Sequence, residues 1–314
     1  MDSIVESALH RANISLSTKV SEIAFSDAET DNAGLIKVST ANGQPQFFDA
    51  VVNTTPLGYL KRNLDMFKPA LPSPLLSAIA HISYGRLEKV YLTFREAFWS
   101  VVGTSSPFFS QFVHPMYALE QNPMSWSVEC ASLASLPEPC GHPTILFYIH
   151  GPCAEHVTSL INGVSLDDST YLKVLDDFFR PYYSRLPNYS EQRPTTALAT
   201  NWQNDELAGY GSYTNFQVAC SIEDGGEEIL VDKDIELLRH GAPERNLWFA
   251  GEHTAPFVAL GTVTGAYWSG ETVAQRILEA YGVQDKSGPP HDNEGPKAEK
   301  EGTIDGTGPG GWMT

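Results

Sequence analysis

Between Asn246 and Leu278 the chain places, in order, a short apolar strand, a glycine, a carboxylate and the start of a helix, a set able to grip a charged ligand. The strand, Asn246 to Ala250, runs into Gly251 and Glu252, and after a loop the helix opens at Thr262. Gly265, Ala266, Ser269 and Gly270 lie along its first turns, where small side chains let another backbone or a flat ligand come close. The unpaired N–H groups and positive dipole end of a helix suit a pyrophosphate, or the negative charge of a reduced cofactor ring. The same residues also describe a helix packed tightly on a sheet, with Gly and Ala merely reducing volume. On the residues alone the two readings stand level.

Positioning such a site takes elements whose signals are visible in the chain. Thr262 to Tyr281 is the strongest helix pattern. Val263, Ala266, Tyr267, Gly270, Val273, Ala274, Ile277 and Leu278 follow the three-to-four spacing of one face, and Gly282 is a natural stop. Ile14 to Phe25, Gly34 to Thr40 and Gln46 to Thr54 read as strands, with Asp27, Asp31, Asn32, Asn42 and Gly43 in the turns. The third is apolar enough to be buried on both faces, and Pro56 ends it. A short helix is expected at Leu75 to Ile82 and a long alternating strand near Leu87 to Phe94. Farther on come strands at Ser125 to Cys130 and Thr144 to Ile149. Helices are expected at Ala154 to Ile161 and at Ser169 to Tyr182, the latter behind Asp167 and Asp168 as caps. Residues 284–314, rich in Gly, Pro, Glu and Lys, cannot offset the entropy of ordering and read as a disordered tail.

A length of 314 residues allows one or two domains with a sizeable core. The 38 acidic against 20 basic side chains give a net charge of -18, which repels phosphate backbones and anionic membranes and sets nucleic acid aside. It mildly favours cationic small molecules, although an acidic surface mostly serves solubility. Cys130, Cys140, Cys153 and Cys220 show no C-x-x-C spacing, and the nine histidines show no ligand spacing. Neither a disulfide framework nor a metal site is expected, and a reducing compartment fits. No run approaches the ~20 apolar residues of a membrane span, and the amino terminus carries no signal-peptide core.

Three ordered blocks carry a more specific signal. The first is AGEHT followed by GTVTGAYWSG. The second is FFDAVVNTTPLGYLKRN, then FKPALP, then YGRLEKVYLTFREAFW; the third is NWQNDELAGYGSYTNF. The first resembles the C-terminal FAD-binding signature of the flavin-containing amine oxidases, the family of monoamine oxidases, polyamine oxidases and lysine-specific histone demethylases. The second is similar to that family's buried strand, Pro-Leu-Gly-x-Leu, F-x-P-x-L-P turn and glycine-led strand with a lysine. The third is similar to its Trp-x-x-Asp…Gly-Ser-Tyr segment, with one extra residue before Gly211. Together they cover about Ile14 to Gly282.

The resemblance implies roles residue by residue. Glu252, beside Gly251, matches the acid that accepts hydrogen bonds from ribityl or ribose hydroxyls, for which a carboxylate is apt. Thr262 and Val263 match positions whose backbone meets the flavin, and Val20 a strand residue that contacts adenine through its main chain. Lys89 matches a lysine linked through water to the reactive ring nitrogen, where it assists dioxygen reduction. With Glu88 adjacent and Val90 and Leu92 alternating, pleat geometry leaves a surface lysine open as well. Tyr213 matches one wall of an aromatic cage. Thr262 stands at the opposite position, as in the histone demethylase branch rather than the monoamine oxidase branch, which has Tyr there. Trp202 either lines the same cavity or is a core tryptophan.

The implied chemistry is oxidative deamination. Hydride passes from the carbon beside a neutral amine to the flavin, and dioxygen is reduced to hydrogen peroxide. An alkylamine titrates near ~10.4, so deprotonating it at pH 7 costs roughly 4–5 kcal/mol, which a dry aromatic slot partly offsets. Thr262 in place of Tyr predicts a bulky or secondary amine. The implied fold is α/β with α+β mixing. Residues 1–56 and 241–283 form the remainder of a Rossmann-like FAD-binding domain, and residues 57–240 a mixed-sheet and helix substrate domain. The family's opening G-x-G-x-x-G and the acid after it are not found here. The chain therefore reads as a truncated C-terminal portion, expected to bind FAD weakly by itself. A non-catalytic remnant, or a flavin oxidase or desaturase of a secondary metabolite, are the alternatives.

Overall fold

The computed structural model describes residues 10, 12–25, 34–41, 43–100, 109–215 and 230–283. It divides into two compact units, Met1–Ala274 and Gln275–Thr314, the second described only through the close of the last helix. The tail expected after Val283, the turn residues Asp27, Asp31, Asn32 and Asn42, and Cys220 lie outside the described residues.

In chain order the strands are β1 (Val20–Phe25), β2 (Ile36–Thr40), β3 (Gln46–Phe48), β4 (Val51–Asn53), β5 (Phe67–Lys68), β6 (Ser83–Tyr84), β7 (Leu87–Thr93), β8 (Phe109–Phe112), β9 (Val128–Ser132), β10 (Thr144–His150), β11 (Thr196–Ala199), β12 (Thr214–Asn215) and β13 (Leu247–Phe249). The helices are α1 (Leu57–Arg62), α2 (Ser73–His81), α3 (Gly151–Ile161), α4 (Ser169–Tyr183), α5 (Val231–His240) and α6 (Val263–Ala280). Mixed sheets with interspersed helices make this an α/β fold. Among the described residues no helix is long and apolar enough to cross a membrane.

The larger sheet runs β11-β7-β10-β9-β8, antiparallel throughout. Along β7 the side chains alternate: Glu88, Val90 and Leu92 are buried, whereas Leu87, Lys89 and Tyr91 face the other side, half-buried. Helices α3 and α4 cover the first of these faces, packing Val157, Leu175, Phe179 and Tyr183 against Val90, Leu92, Phe147 and Ile149. The start of α4 is held as expected: the Asp168 side chain accepts from Thr170 N at 2.8 Å. Glu88, fully buried, accepts from Thr200 Oγ1 at 2.5 Å and Gln203 N at 3.0 Å, so its carboxylate fastens the segment after β11 to the sheet.

A second core joins Ile23 and Ile36 with Leu57, Leu60, Leu75, Ile79, Ile235, Leu238, Leu247 and Phe249. Its strands fall into a sheet ordered β3-β2-β1-β5 and a parallel pair, β13 and β4. Two expectations are corrected here. The strand expected over Gln46 to Thr54 breaks at Asp49 and Ala50, β3 pairing with β2 and β4 with β13. It is not buried on both faces: Phe47, Phe48 and Val52 are 39%, 40% and 38% exposed, because β3 and β4 each have one partner strand among the described residues. The strand expected from Ile14 begins only at Val20, after a turn with Ser17 at φ 52°. Helix α5 was not foreseen. Its buried residues Val231, Ile235 and Leu238 do carry helical spacing, diluted by the charges between them.

Candidate active site

Strand β13 delivers the chain into the candidate site. Ala250 N donates to Asn53 O at 3.1 Å, continuing the pairing with β4, and Gly251 N donates to Ser269 Oγ of α6 at 2.8 Å. The next residue, Glu252, turns its carboxylate inward. Oε1 accepts from Thr214 N at 3.1 Å and Thr214 Oγ1 at 2.8 Å, and Oε2 accepts from Gly261 N at 2.9 Å. Burial pushes the Glu252 carboxyl up from its ordinary pKa, and the bonds from Thr214 and Gly261 pull against that rise. These three bonds occupy three of the roughly four lone-pair sites of a carboxylate and leave about one for a hydroxyl from outside.

Thr262 caps α6. Its Oγ1 accepts from Gly265 N at 2.9 Å and donates to Ala259 O at 2.7 Å. At Gly265 the helix lies so close to the preceding turn that a Cβ would collide with the Ala259 carbonyl. That glycine therefore serves packing. Gly270 does not: beyond its chain neighbours and its own helix backbone, no described atom lies within 4 Å of where its Cβ would be. The expected inward face of α6 is corrected accordingly. The buried residues are Gly265, Ser269 and Val273, whereas Val263 and Tyr267 point outward at 64% and 53% exposure. Trp268, Phe257 and Val258, on α6 and the turn before it, are exposed apolar side chains as well.

Tyr213 immediately precedes β12, which pairs with β6. Gly85 N donates to Tyr213 O at 2.7 Å and Ser212 N to Gly85 O at 2.9 Å, stitching this segment to the start of β7. Its ring lies against Gly261, where a Cβ would stand 3.0 Å from Tyr213 Cδ2. A close approach of Gly58, from the Pro-Leu-Gly motif, to the Gly209 backbone holds the segment from below; a Cβ on either would clash with the other. A cavity of about 330 Å³ opens beside Tyr213, lined also by Tyr84, Leu87, His150, Ser212 and Asn215. Burial first, and the Glu252 charge second, push the Tyr84 phenol up to about 12, so it stays protonated and donates to Ala208 O at 2.6 Å.

The structure thus gathers Glu252, Thr262 and Tyr213 around Gly261. Gly251 and Val263 adjoin Glu252 and Thr262 along the chain, whereas no hydrogen bond or ion pair joins Lys89, Val20 or Trp202 to the cluster among the described residues. Lys89 lies two residues along β7 from Leu87 on the same side, its ammonium 5.8 Å from the Tyr148 ring centroid and its backbone N donating to Thr200 Oγ1 at 2.8 Å. It does not line the cavity beside Tyr213. Val20 opens β1 in the other sheet, half-buried against the second core. Trp202 is 44% exposed, outside both cores. Sequence reasoning missed Thr214 and Gly261 as the residues that hold Glu252, and Tyr84, His150 and Ser212 as cavity walls. Of these, His150 alone lay outside the recognised blocks.

Residues 1–278 match the family described as flavin containing amine oxidoreductase. Polyamine oxidase 4 of Oryza sativa subsp. japonica is 30% identical over 259 residues, 80% of this chain and 44% of that protein. Polyamine oxidase 2 of Arabidopsis thaliana is 28% identical over 267 residues, 83% of this chain and 46% of that protein. Lysine-specific histone demethylase 1 homolog 3 of Arabidopsis thaliana is 29% identical over 280 residues, 88% of this chain and 15% of that protein. The chain spans less than half the length of these curated relatives.

Proposed function

Because this chain belongs to the flavin containing amine oxidoreductases, we propose that it supplies the carboxylate, cage wall and helix start of a site for FAD-dependent oxidative deamination of a small-molecule amine. One observation carries the reading: Glu252, Tyr213 and Thr262, from separate stretches of chain, converge on Gly261. These residues fit part of a flavin nucleotide. Glu252 retains an acceptor site for a hydroxyl, and the helix start is bare, apolar and positive in dipole. When bound, the flavin ring supplies the hydride acceptor. The chain's own part is to orient the cofactor through Glu252 and the start of α6. Tyr213 walls a slot dry enough to favour the neutral amine. Lys89 faces the side of β7 on which Leu87 meets the cavity, and the reading gives it water-mediated support of dioxygen reduction. Residues 1–56 and 241–283 are assigned to the cofactor domain and residues 57–240 to the substrate domain. A bulky or secondary amine is the expected substrate, since Thr262 projects little into the slot.

The test is titration of the folded chain with FAD, followed by flavin fluorescence, and then peroxide release on adding amines. Weak saturable binding is expected, and Glu252→Ala should weaken it about tenfold, near the worth of one hydrogen bond to a charged group. Binding untouched by that substitution would sink the site. Full flavin occupancy in the purified chain would overturn the expectation of weak binding. A non-catalytic role is the second reading, favoured by the absence of any hydrogen bond or ion pair between Lys89 and the Glu252 cluster among the described residues. It predicts flavin binding without peroxide across the amine panel.

A further inference from the structure

A second cavity, of about 290 Å³, opens where the end of α1, the turn before β7, the last turns of α3 and the segment after Trp202 meet. In a chain of net charge -18 its lining includes two guanidiniums, Arg62 and Arg86, and a single carboxylate, Glu155, with Asn162, Gln203 and Tyr210 among them. Arg62 is held in place from one side. Nη1 donates to Gly209 O at 3.0 Å, and the guanidinium carbon lies 4.3 Å from the Tyr210 ring centroid. That leaves most of its five N–H donors unused. Arg86 is paired with Glu155, both side chains half-exposed, a pairing that an incoming ligand can exchange at little cost.

Gln203 supplies an independent observation. Its backbone N–H is used on Glu88, which fixes the residue, yet its amide Nε2 and Oε1 are shut off from solvent without a hydrogen-bond partner. A buried amide with donor and acceptor both idle is an uncommon and unfavourable state. A small rotation of the side chain would offer both atoms to a molecule in the cavity it lines. Glu155 and the carbonyl end of α3, whose dipole is negative there, oppose a simple anion. The two guanidiniums oppose a simple cation. The volume, at the small end of ligand clefts, admits a metabolite of amino-acid size and not a nucleotide.

We propose that this cavity binds a small zwitterion of the amino-acid class. Its carboxylate is taken by Arg62 and Arg86, its ammonium by Glu155 and the end of α3, and the Gln203 amide completes the set. The site is separate from the Glu252 cluster, although Arg86 also lines the cavity beside Tyr213.

Isothermal titration of the folded chain with L-serine tests this, with sodium acetate and ethanolamine as the two half-molecules at matched ionic strength. Serine should bind saturably, and each half at least about tenfold more weakly, a difference of roughly 1.4 kcal/mol. Arg62→Met should weaken serine and acetate by about tenfold or more. Glu155→Gln, a half-exposed position whose loss leaves folding intact, should weaken serine and ethanolamine and spare acetate. If Arg62→Met fails to fold, Glu155→Gln alone decides. Acetate binding as tightly as serine, or no saturable heat with serine, overturns the proposal. Neither outcome touches the amine-oxidation reading, since no flavin or turnover enters the measurement.

Discussion

The core between the five-stranded sheet and helices α3 and α4 shuts out water, whereas the core around β1, α2 and β13 ends at bare apolar faces. In the first, interior strands β7, β10 and β9 each have a partner on both sides, and rings interlock across the helix–sheet layer, as where Phe147 and Phe179 lie 4.4 Å apart. In the second, β4 and β13 form a pair with no third strand among the described residues, and Phe47, Phe48 and Val52 stay exposed. Two strands alone are marginal in water. The candidate site lies on this second side, where α6 turns Val263 and Tyr267 outward. The first region is thus sealed by its own chain, while the region holding Glu252 presents exposed apolar side chains.

The largest effect expected on this contrast comes from breaking the sealed core. Phe179 is fully buried against Phe147, Phe178 and Tyr182. Phe179→Ala should cost about 3–5 kcal/mol, read as the shift in urea midpoint. A cost below about 1 kcal/mol would mean that this core is not the stabilising one.

On the side of the second region, His253 is 1% exposed with Nε2 unpartnered among the described residues. Burial pushes its imidazole down from 6.5 to about 4. The folded state therefore keeps it neutral while the unfolded chain takes up a proton. Stability from this residue is complete above pH 6.5 and is lost as pH falls through about 4, in all about 3 kcal/mol. Carboxylates titrate in the same window, so the quantity to compare is the pH dependence of unfolding in the native chain and in His253→Leu. The variant should lack this component, and identical slopes would show that water reaches the ring.

How much of this was legible in the residues differs between the two regions. Strands β7 and β10 and helices α3 and α4 follow from local pattern, because each repeats its burial within one element. Helix α6 was legible as a helix, but its inward face was not. Periodicity selected the apolar row with Val263 and Tyr267, whereas close packing on the Ala259 turn selects the small row of Gly265 and Ser269. Glu252, Thr262 and Tyr213 were found through motif resemblance. The partners that fix Glu252, Thr214 and Gly261, stood inside the recognised blocks, but nothing local marks their pairing with it, and Thr214 lies 38 positions away in sequence. For Lys89 the alternation left its side open, and the buried Glu88 beside it decides the pleat.

A smaller effect concerns the anchoring of α6. Thr262→Ala removes the acceptor for Gly265 N and should lower stability by about 1 kcal/mol, with Thr262→Ser restoring most of it. Because the same oxygen fixes the helix start, Thr262→Tyr would loosen the site as well as narrow it. Loss of activity on bulky amines in that variant therefore counts only if flavin binding is unchanged.

The smallest effect is the sharpest test of the contrast. Tyr267 is 53% exposed on α6, so Tyr267→Ser should change stability by no more than about 0.5 kcal/mol if this face is bare in solution. Phe179 and Tyr267 are both large aromatic residues, so a several-fold gap between their costs measures the sealing of one region and the openness of the other. A penalty above about 1.5 kcal/mol at Tyr267 would mean that the ring is buried in solution. Repeating the unfolding at two protein concentrations then separates the causes: burial against a second copy makes the midpoint rise with concentration, whereas burial within the chain does not.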